Sequence, residues 1–214
     1  MSKYVVLDLE MCNVPKSKRN LFNCPNEIIE IGAVVIDESL EITDSFKTYV
    51  SPEFGVLDGY IVELTGIRGK NLKGAPNFKT AIEMLLEWIP EDATMVTWSN
   101  NDEIQIRKEA KKNGVYTAAV RALFKGAIDC QAVFCKKINV TQAVSLSTAL
   151  LATAVEYDEH IHDAQADAYN TALIFIKMKK EPSLILNSYY SEQLHKVSHY
   201  NPFVELLSEF SCAV

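Results

Sequence analysis

Two carboxylates end an apolar run near the start of the chain, and their spacing is the first feature that could support chemistry. Residues 4–10 read YVVLDLE, which is typical of a central strand buried on both faces. Asp8 and Glu10 are two positions apart, so in a strand both side chains point to the same side. Buried like charges repel each other unless a positive group neutralises them. The pair therefore predicts either an exposed strand end or a divalent metal site.

Two further acids occupy positions from which they could complete such a site. Mg²⁺ and Mn²⁺ prefer oxygen ligands, and two such ions about 4 Å apart support in-line phosphoryl transfer. Their ligands have to come from the ends of separate elements, so that the side chains can converge. Asp102 opens a predicted helix after a strand that ends at Trp98, and Asp167 is a lone acid in an alanine-rich helix.

His162 is the candidate proton acceptor. Positions five apart on one helix point about 140° away from each other, so His162 and Asp167 can face one site only if His162 precedes the helix. Asp163 has the side chain of an N-cap and marks that boundary. Histidine titrates near neutral pH, so a histidine on this loop could take a proton from an attacking water.

Each of these residues also has an ordinary structural interpretation. Paired acids are common at strand ends, and Asp102 has the charge that favours the first turn of a helix. His162 and Asp163 could be a solvated residue and a helix cap. The case for chemistry depends on the order and spacing of all the residues together.

The elements that must position these residues begin with strands. Three successive strands joined by short polar turns favour an antiparallel meander, and the strand–helix alternation that follows favours an α/β domain with a mixed sheet. The stretch from Cys12 to Asn26, with two prolines and a basic cluster, is predicted as a loop. The predicted strands span 4–10, 27–37, 42–50 and 94–98, and the predicted helices span about 78–89, 100–113, 145–154 and 164–178.

Composition limits the class of protein. A chain of 214 residues is long enough for one sizeable domain, and no stretch approaches the roughly 18–20 apolar residues of a membrane span. The net charge of −7 argues against a broad basic surface that coats nucleic acid, but not against a metal-loaded pocket that holds a few nucleotides. Five cysteines without CxxC spacing indicate reduced thiols, and we expect a cytoplasmic protein.

The segments DLE, WSNND and HDAQADA, in this order, resemble the pattern of the DEDDh 3′–5′ exonuclease superfamily. The resemblance also covers EIIEIGAVVID, LTGI, APNFKTAIEMLLEWI and DAYNTALIF, and so most of residues 3–179. These details are most similar to the branch that trims small-RNA and structured-RNA 3′ ends, which includes bacterial sporulation-inhibitor relatives. The resemblance implies an α/β, ribonuclease-H-like fold with a mixed five-stranded sheet flanked by helices. The exonuclease domain would span 1–180, with a C-terminal helical extension over 181–214 packed on it.

The resemblance also implies an activity and a site. The chain would release nucleoside 5′-monophosphates from the 3′ ends of single-stranded nucleic acid, with RNA favoured over DNA. His162 would be the general base, Glu10 and the backbone of Met11 would meet the terminal ribose, and Leu9 would lie near the base. The ligands of two Mg²⁺ or Mn²⁺ ions would be Asp8, Glu10, Asp102 and Asp167.

The sequence departs from the family pattern at two places. Cys12 stands where the family often has threonine, which would change the contact with the 3′-terminal nucleotide. The segment before His162 lacks the glycine that often precedes the family histidine, so His160 competes for the role of base. The spacing from His160 to Asp167 does not fit the motif, which favours His162.

Two other functions remain open from the sequence. One is degradation of very short oligonucleotides, as by an oligoribonuclease, and the other is a binding protein of the same fold without turnover. The C-terminal segment carries an apolar helical face that either packs on its own domain or pairs with a second copy as a homodimer. Its residues are Phe203, Leu206, Leu207 and Phe210.

Overall fold

The computed structural model describes residues 3–22 and 24–192. The predicted apolar face at Phe203, Leu206, Leu207 and Phe210 lies outside the described residues, as does most of the predicted C-terminal extension. Within the described part of the chain, no helix is long and apolar enough to cross a membrane.

A five-stranded mixed sheet carries the fold. Its strand order is β3-β2-β1-β4-β5, with β1–β2 and β2–β3 antiparallel and β1–β4 and β4–β5 parallel. This topology confirms the predicted meander and the predicted mixed five-stranded sheet. The strands are β1 (Tyr4–Asn13), β2 (Asn26–Ile36), β3 (Ile42–Tyr49), β4 (Thr94–Thr97) and β5 (Ile128–Asp129).

The helices flank this sheet, and the four predicted ones are confirmed to within two residues at each end. The loop predicted between Cys12 and Asn26 is wrong in part, because β1 continues to Asn13 and a 3₁₀ turn and a short helix follow. A small buried cluster stabilises this segment and consists of Val14, Phe22 and Cys24. The 3₁₀ turn is Lys16–Lys18, and the helices are α1 (Arg19–Phe22), α2 (Gly59–Thr65), α3 (Gly69–Leu72), α4 (Phe78–Trp88), α5 (Asn101–Lys112), α6 (Ala118–Leu123), α7 (Cys130–Lys137), α8 (Leu146–Thr153) and α9 (Ala164–Lys180).

The alternation of side chains along β1 divides the core into two layers. Val5 and Leu7 pack in a cluster with residues of α4 and α5, whereas Val6 packs in a cluster with residues of α7, α8 and α9. Asp8 and Glu10 continue the series of Val6. They therefore point to the side of the sheet on which α9 lies.

The start of α9 is set by a helix cap. The side chain of Asp163 accepts hydrogen bonds from the backbone N–H groups of Gln165 and Ala166, at 3.1 and 3.2 Å. His162 precedes this cap with a φ of 68°. The prediction that His162 lies in the loop entering the helix is confirmed.

Candidate active site

The middle of β1 places two carboxylates, Asp8 and Glu10, on one face. Glu10 is 8% exposed and Asp8 is partly buried. The ladder between β1 and β2 pairs Asp8 with Gly32 and Glu10 with Glu30, and a bulge follows between Glu10 and Met11. The bulge ends the regular alternation just after the second carboxylate.

Asp102 reaches the same edge of the sheet from another element. Strands β1 and β4 are parallel, and β4 ends at Thr97 beside Leu7, the residue before Asp8. Helix α5 begins shortly after β4, and Asp102 in its first turn is 7% exposed. The carboxylate of Asp102 interacts electrostatically with that of Asp8.

Asp167 and His162 complete the group from α9 and the loop before it. The backbone N–H of His162 donates a 3.0 Å hydrogen bond to Oδ2 of Asp167, and Oδ1 of Asp167 is buried without a hydrogen-bond partner. Glu10, His162 and Asp167 each offer one ligand atom, and these atoms lie within 4.8 Å of one another. The side chain of His162 is exposed, whereas Asp167 is 8% exposed.

The carboxylates of this group repel one another, so burial and this repulsion together raise the pKa of Asp8 and of Glu10. Burial raises the pKa of Asp8 well above its ordinary value, and the carboxylates of Asp102 and Asp167 raise it further. Burial, followed by the charge of Asp167, raises the pKa of Glu10 to about 9. Burial also raises the pKa of Asp102 and of Asp167, the latter against the hydrogen bond from His162.

A divalent cation fits this donor set. Among the described residues, no lysine or arginine forms an ion pair with Asp8, Glu10, Asp102 or Asp167. Buried carboxylates without a cationic partner, one of them with an unpaired oxygen, have the hard oxygen ligands that Mg²⁺ and Mn²⁺ bind. The structure thus brings the four predicted acids and His162 to one site.

The other predicted site residues are placed differently. His160 is 86% exposed in its side chain, and its Nδ1 lies 2.6 Å from Oδ1 of Asp158. Leu9 is 5% exposed and packs in the core, and Met11 packs partly buried against the same cluster. Cys12 is 1% exposed, and burial raises the pKa of its thiol to about 12. Contacts of Leu9 and Met11 with a nucleotide stay predictions.

Two charged residues beside the site were not singled out from the sequence. Glu30 is 1% exposed, and its Oε2 accepts the N–H of Ala164 at 2.9 Å. Lys47 forms ion pairs with Glu30, at 3.1 Å, and with Asp163. A carboxylate inside a strand that is otherwise almost wholly apolar is a usable signal for Glu30. Lys47 gives no such signal, because it lies in β3, an edge strand of the sheet in which polar residues are common.

Comparisons with known proteins agree with this fold. The family model described as Exonuclease matches residues 5–175. The chain is 31% identical over 180 residues to a DNA polymerase III PolC-type of Caldanaerobacter subterraneus subsp. tengcongensis, a match that covers 82% of this chain and 11% of the polymerase. It is 26% identical to the 3′-5′ exonuclease Snipper of Drosophila melanogaster, covering 74% of this chain and 63% of Snipper. The chain thus spans less than two thirds of either relative.

A solved structure shows the same architecture. The nuclease domain of 3′hExo, a DEDDh family member bound to rAMP, superposes with a TM-score of 0.71 at 21% identity, covering 87% of this chain and 96% of that one. The family model spans the sheet and reaches into α9, so it includes every element of the candidate site. The chain belongs to the Exonuclease family.

Proposed function

We propose that the chain is a metal-dependent 3′–5′ exonuclease that releases nucleoside 5′-monophosphates from single-stranded nucleic-acid ends. One observation carries this proposal: four carboxylates from β1, α5 and α9 converge without a cationic partner among the described residues, with His162 beside Asp167. A site of this kind has little structural value without a cation, because its charges repel each other.

The proposed ligands of two Mg²⁺ or Mn²⁺ ions are Asp8, Glu10, Asp102 and Asp167. When bound, such ions polarise the phosphoryl group and lower the pKa of a water molecule. The exposed ring of His162 can accept the proton of an attacking water, since its backbone is held by Asp167 and its side chain reaches solvent. As the water oxygen bonds to phosphorus, the bond to the 3′ oxygen breaks. The shortened strand keeps a 3′-hydroxyl, whose proton comes from solvent, and the terminal nucleotide leaves as a 5′-monophosphate.

RNA is the proposed preferred substrate. The ribonucleotide in the 3′hExo structure supports it, whereas the polymerase relative gives weight to DNA as the alternative. The same proposal takes residues 1–180 as the exonuclease domain and 181–214 as an extension that packs on it or pairs two copies. The unpaired thiols of Cys12, Cys24, Cys130 and Cys135 support a reducing, cytoplasmic location.

Matched 5′-labelled single-stranded RNA and DNA, incubated with Mg²⁺ or Mn²⁺, test the activity and its sugar preference. We expect a ladder that shortens from the 3′ end, is lost in EDTA and is lost in Asp8→Ala. The exposed Asp92→Asn variant is the control for a general effect of removing a charge. A folded wild-type chain that leaves both strands intact with either metal would overturn the enzymatic proposal in favour of a binding role.

A further inference from the structure

The acids at this end of the molecule form two groups. Asp8, Glu10, Asp102 and Asp167 make no ion pair with a lysine or arginine of the described residues. Glu30 and Asp163, by contrast, share one cation, the Lys47 ammonium. The fold therefore pairs two neighbouring carboxylates with one internal cation and leaves the other four for a bound metal ion.

Glu30 connects the sheet to the first turn of α9. It lies directly beside Glu10 in the β1–β2 ladder, so the two side chains share a face. Its Oε2 accepts the N–H of Ala164, one of the N-terminal N–H groups that have no partner within a helix. Asp167, one turn further along α9, is fixed by the same docking of helix on sheet.

Lys47, in the neighbouring strand β3, stabilises this contact between Glu30 and α9 through an ion pair with Glu30. It lies beside Gly32 in the β2–β3 ladder, and Gly32 in turn lies beside Asp8. Its side chain is 26% exposed, and its ammonium reaches both Oε1 of Glu30 and the N-cap Asp163. The ion pair with Asp163 holds the helix cap, which directly follows His162 in the chain.

We propose that Lys47 is a positioning residue: its ion pairs with Glu30 and Asp163 hold the first turn of α9 and the adjoining loop, so that Asp167 and His162 meet Glu10. This inference rests on the proposed exonuclease function. Lys47 acts through Glu30 and Asp163, which are partners of the helix backbone, and among the described residues it forms no ion pair with a proposed metal ligand. Partners of this kind around metal ligands typically change metal affinity or activity by about 10- to 100-fold when they are removed.

The decisive variant is Lys47→Met, which keeps most of the side-chain volume and removes the charge. Because Lys47→Met leaves Glu30 without its cationic partner, we add the double variant Lys47→Met with Glu30→Gln, in which the new amide oxygen can still accept the N–H of Ala164. Lys47→Arg is the conservative rescue. The matched control is Lys180→Met, since Lys180 also joins α9 to the β2–β3 region, through a 3.2 Å ion pair with Glu41 away from the site.

Three measurements on the full-length chain separate positioning from other roles. They are kcat and KM on a single-stranded oligonucleotide, Mn²⁺ binding without nucleic acid followed by electron paramagnetic resonance, and hydrogen exchange of the 162–166 backbone. For both Lys47→Met variants we expect kcat to fall about 10- to 100-fold with KM little changed, weaker Mn²⁺ binding and faster exchange at Ala164. Lys47→Arg should recover most of each loss, and Lys180→Met should match the wild type.

Other outcomes overturn the inference. A folded Lys47→Met variant with wild-type kcat, Mn²⁺ affinity and exchange would exclude a positioning role. A raised KM with unchanged kcat and a weaker salt dependence would instead assign Lys47 to direct phosphate binding. If the wild-type chain cleaves no substrate, the proposed function fails, while Mn²⁺ binding and exchange still decide the role of Lys47.

Discussion

Gly32 of β2 and Ala164 of α9 lie so close together that a Cβ atom on Gly32 would be 2.2 Å from the backbone carbonyl carbon of Ala164. Gly32 is also the ladder partner of Asp8. The missing side chain therefore lets the first turn of α9 rest directly on the sheet beside the first carboxylate. This contact determines how near Asp167 comes to Asp8 and Glu10.

The variant Gly32→Ala should push α9 away from the sheet. Because the clash is with backbone atoms, we expect a loss of about 1–3 kcal/mol in the free energy of unfolding. A displacement of about 1 Å at Asp167 would also lower kcat by about 100-fold. Urea unfolding and steady-state kinetics measure the two effects. Gly59→Ala is the control, since no atom lies within 4 Å of a Cβ at that position, and equal behaviour of the two variants would contradict this role of Gly32.

Removing one of the four carboxylates should stabilise the metal-free chain and, at the same time, reduce its stabilisation by Mn²⁺. Burial raises the pKa of Asp8, of Glu10 and of Asp102, and the charge of Asp102 raises the pKa of Asp8 and of Glu10 further. Removing that charge with Asp102→Asn should therefore raise the Tm in EDTA. The same variant should lose most of the increase in Tm that Mn²⁺ gives the wild type, because that increase depends on binding to the folded state. Thermal unfolding with EDTA and with Mn²⁺ provides both values.

The exposed Asp92→Asn variant should keep the wild-type Tm and the wild-type response to Mn²⁺. A variant Asp102→Asn that is less stable in EDTA yet fully stabilised by Mn²⁺ would show that Asp102 is structural and not a metal ligand.

His162 and His160 offer a direct test of the general base. His162 lies beside Glu10 and Asp167, whereas His160 pairs with Asp158 on the exposed surface. We expect His162→Ala to lower kcat by about 10²- to 10⁴-fold, the usual contribution of a proton acceptor. His160→Ala should leave kcat nearly unchanged, and the reverse result would assign the base to His160.

The sequence made the local features of this site predictable. The DLE spacing places Asp8 and Glu10 on one face, and Asp163 caps α9, because both depend on residues that are neighbours in the chain. The docking of α9 on the sheet depends on contacts between residues far apart in sequence, such as Lys47 with Asp163, 116 positions away. Strand β5 has two residues, too few for a periodic pattern. The short helix α1 depends on packing of Phe22 against Val14. The two prolines and the basic residues of this segment instead favour the prediction of a loop.

Glu109 of α5 couples the stability of the fold to pH. It is 1% exposed, and its Oε1 accepts the N–H of Ile28 at 2.7 Å and a hydrogen bond from Gln105 at 2.6 Å. Burial raises the pKa of Glu109 from its ordinary value of 4.5 to about 8. Between these values the folded chain keeps a proton that the unfolded chain has lost. The free energy of unfolding therefore falls as pH rises through this interval, by up to about 1.4 kcal/mol per pH unit.

The variant Glu109→Gln retains both acceptor contacts and removes the titration. Urea unfolding in EDTA from pH 5 to pH 8 should give a difference between variant and wild type that increases with pH in favour of the variant. The difference isolates Glu109 from the other acids, which titrate in both proteins. Glu91→Gln, at an exposed position, should give no such trend, and a constant difference for Glu109→Gln would contradict the assignment.

The segment directly after the carboxylates of β1 is basic in an otherwise acidic protein. Residues 11–26 contain three cations and no acid, while the whole chain has a net charge of −7. Lys16 and Lys18 lie exposed in the 3₁₀ turn, and neither forms an ion pair with any residue of the described ranges. These two lysines follow the end of β1, which continues past Glu10 to Asn13. Because they are exposed cations without an ion-pair partner in the described part of the chain, we expect them to contact phosphates upstream of the scissile bond.

Replacing Lys16 and Lys18 together with glutamine should weaken the binding of single-stranded RNA, with little change in kcat at saturating substrate. The slope of log affinity against log salt should decrease by about 0.7 for each lysine that contacts a phosphate. Fluorescence anisotropy of a labelled strand in Ca²⁺, at several salt concentrations, measures this slope. The exposed Lys125 and Lys136, changed in the same way, provide a control of equal charge. An equal loss in both double variants would mean that net charge, rather than this segment, guides the substrate, and an unchanged slope would place the upstream strand elsewhere.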